Sequence, residues 1–270
     1  DRIVYICEDE LKVLAKTFED SDEWEGTKLV GIHNKLIIDV LRSLSAFKTH
    51  VSDFEHIVSE GLNETTSVDK GWIRRSTQIP DWDRQELIIG GPHFYMGNPI
   101  VKTPRSICSL NSDYDCIDLE AISDDYSART NYVPCIPLSE FRNLIKGFVI
   151  GQDRVGNALY DCWMDYYKIA VRRMTGGGAG ERTFAGAILP NTSSHLGTVT
   201  STIFKAKSLL IEFAGLSVSL VLDFFIKTLK INDIHASRIE SFPLGIADKY
   251  KPALFARTLR LNCVTNRYTD

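Results

Sequence analysis

Tyr166–Pro190 reads YYKIAVRRMTGGGAGERTFAGAILP. Two apolar, strand-like arms flank a Thr-Gly-Gly-Gly-Ala-Gly tip, and this pattern predicts a β-hairpin. The first arm ends in Arg172-Arg173, and the second begins with Glu181-Arg182-Thr183. Three arginines therefore gather near the turn. A glycine-rich tip lets a backbone approach another surface closely. Arginines beside such a tip suit a nucleic-acid backbone or base edge. A flexible hairpin whose arginines pair with nearby carboxylates has the same signature.

Working outward from the hairpin, Gly197–Phe204 (GTVTSTIF) is rich in β-branched residues and predicts a further strand. Lys207–Lys230 is apolar and helical, with an expected break at Gly215-Leu216-Ser217 where Ser217 can cap the second half. Residues 238–244 predict an extended link, and Ala253–Asn262 a closing helix. Upstream, Arg142–Phe148 predicts a short helix. Phe54–Pro137 is loop-rich, with strands expected at Phe54–Ser59, Gly71–Gln78 and Glu86–Ile89. Near the start, residues 1–7 predict a strand, Glu8–Asp20 a helix and His33–Phe47 a second helix. The acidic run Asp20–Gly26 between them predicts a solvated loop. The expected fold is α+β: a mixed sheet with a glycine-tipped β-hairpin, long ordered loops and terminal core helices. Residues 1–50 form a helical N-terminal segment in this reading, and 51–270 the main domain.

Composition narrows the function classes. Of 270 residues, 44% are hydrophobic and 24% charged, as in ordinary globular chains. The net charge of −4 argues mildly against a free-standing nucleic-acid binder, although one basic face can still bind. Six scattered cysteines, with no CxxC spacing, predict buried, reduced thiols in a cytoplasmic protein and no zinc site. The chain begins at Asp1, which fits a piece of a longer protein. Leu209–Ile226 is near the lower length limit for a membrane span but contains Glu212 and Asp223. Each carboxylate costs ~2.5–3.5 kcal/mol at a bilayer centre, so a buried core helix or helix pair is expected and no membrane partner.

Catalytic signatures are missing. Gly176–Gly180 lacks the GxxxxGK[ST] spacing of a phosphate loop. No GxSxG elbow or HExxH pair is present. His93 and His195 sit in polar, loop-like sequence where either can contact a ligand or simply be a satisfied core histidine. A second basic and aromatic set lies in Gly91–Arg105 (GPHFYMGNPIVKTPR) and Tyr126–Tyr132 (YSARTNY). Lys102, Arg105 and Arg129 suit phosphate, Asn98 and Asn131 can read adenine, and Phe94, Tyr95 and Tyr132 can stack. The same residues can equally hold long loops in place.

In order along the chain, GPHFYMGNPIVKTPR, DDYSARTNYVPC, YKIAVRRM…ERTFAGAILP, LSVSLVLDFFIKT and LRLNCVT resemble the C-terminal half of large adenine-specific DNA methyltransferases. These belong to bacterial restriction-modification and phage-defence systems, of the type IIG-like and DISARM-like class. The resemblance spans nearly the whole chain. It implies that 51–270 is a target-recognition domain on double-stranded DNA, with other defence-system subunits as possible partners. It also implies that a separate methyltransferase domain of the same parent protein binds S-adenosylmethionine. The family's Asn/Asp-Pro-Pro-Tyr/Phe catalytic motif is absent, and Asn98-Pro99-Ile100-Val101 imitates it only in part. This chain is therefore expected to hold no cofactor, no metal and no catalytic residue. The implied DNA-binding set is Arg172, Arg173, Arg182, Thr183, Lys102, Arg105, Arg129, Asn131, Tyr132 and His195.

Overall fold

The computed structural model describes residues 4–19, 21–32, 34–94, 101–175, 183–184 and 186–269, with only the backbone of Phe18. Outside them lie Asp1–Ile3, Asp20, His33, Tyr95, Asn98, the Gly176–Gly180 tip and Arg182.

The helices are α1 (Glu8–Glu19), α2 (Lys35–Ser45), α3 (Glu64–Asp69), α4 (Leu138–Arg142), α5 (Lys207–Ser217), α6 (Leu220–Leu229), α7 (Ala236–Glu240) and α8 (Lys251–Asn262). The strands are β1 (His56–Ser59), β2 (Ile73–Gln78), β3 (Ile88–Ile89), β4 (Lys102–Pro104), β5 (Tyr114–Cys116), β6 (Thr130–Pro134), β7 (Lys146–Gln152), β8 (Ala158–Cys162), β9 (Lys168–Arg172), β10 (Gly186–Leu189), β11 (Ser194–His195) and β12 (Val199–Phe204). The fold is α+β.

The main sheet has the order β1-β12-β9-β10 and is antiparallel throughout. The expected hairpin arms are β9 and β10, with Gly186 opposite Val171 and Leu189 opposite Lys168. Alternation along the strands divides the core into two faces. Ile169, Val171, Ile188 and Phe204 pack against Phe213, Leu222, Phe225 and Ile226 on the helical side. Leu14, Leu41 and Leu44 from α1 and α2 join that same cluster. On the other side Ala170, Ala187, Leu189 and Val199 meet Leu87, Ile89 and Phe94. The sheet is thus a middle layer, with helices on one face and loops carrying two-stranded ribbons on the other.

Local chemistry explains several boundaries. Asn34 caps α2 by accepting from the Leu36 N–H at 3.0 Å. The expected apolar helix is two helices, α5 and α6, bent by 68°. The cap of the second is Ser219, which accepts from Leu222 N–H; Ser217 Oγ instead donates to the Ala214 carbonyl at 2.7 Å. No single helix among the described residues is long and apolar enough to cross a membrane. Both carboxylates in the pair are buried and engaged. Glu212 accepts from the N–H groups of Gly245 and Ile246, each at 2.7 Å. Asp223 accepts from Thr183 and Phe184 N–H and pairs with Lys227 at 3.1 Å.

Other expectations need correction. Residues 4–7 are not a strand. The helix near 142 lies earlier, at α4, and Lys146 onward is strand β7, whose β-branched and aromatic residues pair with β8. Residues 238–240 of the expected link are helical, the end of α7, and Cys7, Cys116 and Cys135 are exposed, not buried, because they lie on chain segments outside the core.

Candidate nucleic-acid interface

Arg172 ends β9 opposite Val199 and is exposed, without an ion-pair partner among the described residues. Arg173 differs. Its Nε lies 2.8 Å from Asp233 and its guanidinium 3.4 Å from Glu60. Both carboxylates also face His235, at 3.2 and 2.9 Å. Arg173 further donates its N–H to the Thr198 carbonyl and accepts from Ile234 N–H. Alternation explains the split, since adjacent strand residues point to opposite sides. One arginine is presented and the other knits the hairpin to its surroundings.

A run of hydrogen bonds leads from this end of the hairpin to the middle loops. Thr198, next to the partner of Arg172, accepts through Oγ1 from Gly91 N–H at 2.9 Å. His93, in the turn that follows, lies 3.0 Å from the Arg129 carbonyl through Nε2 and accepts from Gly90 N–H through Nδ1. A carbonyl can only accept, so Nε2 carries the proton. Burial pushes this imidazole below its usual range and keeps it neutral. Arg129 N–H then donates to Thr103 Oγ1 at 2.9 Å, beside Lys102 on β4. The hairpin and the 91–132 loops, far apart in sequence, therefore meet on the loop-covered side of the sheet. Lys102 and Arg129 are half-buried there. Arg105 forms an exposed pair with Asp115 at 2.8 Å, of the kind that contributes little and exchanges readily.

Three expected contacts lie in the interior, and a duplex docked on this surface does not reach them. Asn131 is buried and accepts from Thr77 Oγ1 at 2.6 Å. Tyr132 is buried among Ile73, Phe141 and Trp163, with its hydroxyl on Glu64. His195 has no exposed surface. Its Nδ1 lies 3.0 Å from the Leu196 carbonyl and its Nε2 2.7 Å from Ser201 Oγ. Burial pushes it down to about 4, with Lys168 adding to the effect. The neutral ring thus donates from Nδ1 and accepts at Nε2. Gly61 adopts a φ of 70° against this ring, and a Cβ there would overlap it. Thr183 is half-buried, and both its N–H and its hydroxyl are committed to Asp223. Arg182 lies outside the described residues.

Sequence reasoning passed over Arg74 and Arg75 on β2, both exposed; Arg75 donates to the Ser109 carbonyl at 2.8 Å. The signal was another arginine doublet, Ile-Arg-Arg-Ser, inside the predicted strand Gly71–Gln78. It also missed Lys168, fully buried, 3.1 Å from the Ser193 carbonyl and 4.5 Å above the Trp163 ring.

No protein-family model and no curated protein matches this chain. The geometry sets its own limits on chemistry. No group of three or more His, Cys, Asp or Glu side chains among the described residues is placed to hold a metal. The main sheet is antiparallel, so it lacks the crevice at the carboxyl ends of parallel strands where Rossmann-type sheets seat a nucleoside cofactor.

Proposed function

We propose that this chain is a DNA target-recognition domain of an adenine-N6 DNA methyltransferase, of the restriction-modification or phage-defence class. It positions duplex DNA for a methyltransferase domain of the same parent protein. S-adenosylmethionine and the transfer step belong to that other domain, and this chain alone is inactive. The protein acts in the cytoplasm. The observation that carries the reading is the meeting of Arg172 with the Lys102–Arg129 loops through Thr198, Gly91 and His93. Two stretches singled out separately for basic residues are thereby placed on one side of the sheet. The backbone of Arg129 is held by two hydrogen bonds, so its side chain starts from a fixed base. Arg105 can leave Asp115 for a phosphate at small cost.

A second reading has its own support. The β7–β8 ribbon exposes Val149, Ile150 and Val155, the last at 86%. Apolar side chains grouped on a projecting ribbon suit contact with another protein. In this reading the chain is an interaction module of a defence complex. Salt dependence separates the two. DNA binding through phosphates weakens steeply as salt rises, and a ribbon contact of apolar residues does not. Binding of the full-length protein to a duplex, titrated across salt, is expected to show a clear negative slope of log affinity against log salt. Absence of measurable duplex binding at low salt rules out the DNA reading.

A further inference from the structure

The open edge of the main sheet is covered by the end of the chain. Ile188 on edge strand β10 donates its N–H to Asn262 Oδ1 at 2.9 Å and accepts from the Tyr268 hydroxyl at 2.8 Å. These side chains replace the missing neighbour strand. Between this cover and the first turn of α5 the packing leaves a cavity of about 130 Å³, open to the surface. Its lining is almost wholly apolar: Ile188, Leu210, Leu259, Cys263 and the rings of Tyr167 and Tyr268. The two rings stack, 6.2 Å apart and 21° from parallel, and both line the cavity.

One side chain on the lining is charged. Lys207 opens α5, is exposed, and holds its ammonium 5.7 Å from the Tyr167 ring centre. Among the described residues it has no carboxylate partner. The preceding Ala206 supplies no side-chain acceptor to the helix start, so the positive end of the α5 dipole adds to the charge of Lys207. Cys263 also lines the cavity, and burial pushes its thiol up to about 11, which keeps it uncharged. An apolar chamber thus carries a single cation and no opposing anion.

We propose that this cavity binds a small apolar carboxylate, a ring or short alkyl chain seated between the tyrosine rings and Leu210 with its carboxylate on Lys207. The volume is close to that of a cavity that admits one benzene ring, about 150 Å³. Unfilled apolar space forfeits contacts that such a ligand restores. The lone lysine selects a monoanion, and the apolar lining rejects a fully hydrated ion such as phosphate. The site lies at the covered edge of the sheet, and the proposal is independent of the DNA reading.

The test is calorimetric titration of the protein with 4-ethylbenzoate, its neutral counterpart 4-ethylbenzamide, and inorganic phosphate. Saturable binding of the carboxylate with Kd below about 1 mM is expected, within reach of an efficient ligand of this size. The amide is expected to bind at least about threefold more weakly, because it forgoes the ion pair. Lys207→Glu, an exposed change, should abolish this preference. Leu259→Trp, at a position 38% exposed, should block binding of both aromatics while circular dichroism shows an intact fold. Failure of the carboxylate to saturate the wild-type protein overturns the proposal. So does equal binding of carboxylate and amide with no effect of Lys207→Glu, which would leave an apolar void only. Competition by inorganic phosphate would also overturn it, by showing a plain anion site.

Discussion

Asp223 shows how one buried carboxylate sets the hairpin. Its Oδ1 gathers the N–H groups of Thr183 and Phe184 and the Thr183 hydroxyl, and so fixes the point where the second arm re-enters the sheet. Burial pushes the carboxyl upward, but these hydrogen bonds and Lys227 outweigh it and hold it below its ordinary value. Asp223→Ala strands three donors and is expected to lower unfolding stability by about 1–3 kcal/mol, read from urea midpoints. A lowered folded-state value also means that this stability is complete above the unfolded value and is lost as pH falls through the folded one. Asp223→Asn should therefore flatten the acid limb of the stability curve. Lys168 acts with the same sign in a more alkaline window. Burial brings its ammonium down to about 7, so between there and its ordinary 10.5 the unfolded chain binds more protons than the folded one. Stability rises with pH across that window. Lys168→Met should remove the rise, measured as the difference in urea midpoints between pH 7 and pH 9. A rise that survives in the variant contradicts the assignment.

At the scale of elements, α5 and α8 touch through a glycine. A Cβ on Gly215 would lie 2.5 Å from Thr258 Oγ1 and 2.7 Å from a Leu254 methyl. Helix propensity alone favours alanine there by about 1 kcal/mol. Overpacking costs about 1–3 kcal/mol, and it wins at so close an approach. Gly215→Ala is expected to lower Tm, and a raised Tm would show that α8 sits further away. The edge cover gives a second prediction: Asn262→Ala should speed hydrogen exchange of the Ile188 amide specifically, since that N–H loses its acceptor. Much of this level was legible in the sequence. The hairpin arms, β12, α1, α2, the α5–α6 pair and α8 follow from strict periodicity or β-branched runs that tertiary contacts had no reason to override. The β7–β8 ribbon was missed because Lys146-Gly147-Phe148 reads as the tail of a helix. Its strand character comes from pairing with β8, where Lys146 meets Cys162, a contact that local periodicity does not reveal. The site was legible only in part. Arg172, Lys102 and Arg129 lie where basic loops suggested, while Asn131, Tyr132 and His195 carry the same polar chemistry inward. Polarity in a one-dimensional string does not say whether a hydrogen bond is made to the protein or to a ligand. Here Thr77, Glu64 and Ser201 supply the partners.

Across the whole molecule, the helical layer fixes the back of the main sheet and leaves its other side to carry loops. The N-terminal helices contribute Leu14, Leu41 and Leu44 to the same core as Phe225 and Phe242, so α1 and α2 pack on the structure that supports the hairpin. A rigid back and a loop-bearing front suit a surface that grips an extended ligand. Within that arrangement Arg172 is presented and Arg173 is tied to Asp233 and Glu60, and the two arginines should therefore fail differently when removed. The most direct measurement is duplex binding by the full-length protein and its Arg172→Ala and Arg173→Ala variants, across several salt concentrations and on cognate and scrambled DNA. The account predicts that Arg172→Ala keeps its Tm and weakens binding. A phosphate contact shows as a salt slope shallower by about 1 on all sequences, and a base contact as a loss of about 1–3 kcal/mol confined to the cognate site. Arg173→Ala should instead lower Tm, by releasing the Glu60–Asp233–His235 group. Unchanged affinity and an unchanged salt slope for Arg172→Ala, on every duplex, would contradict it.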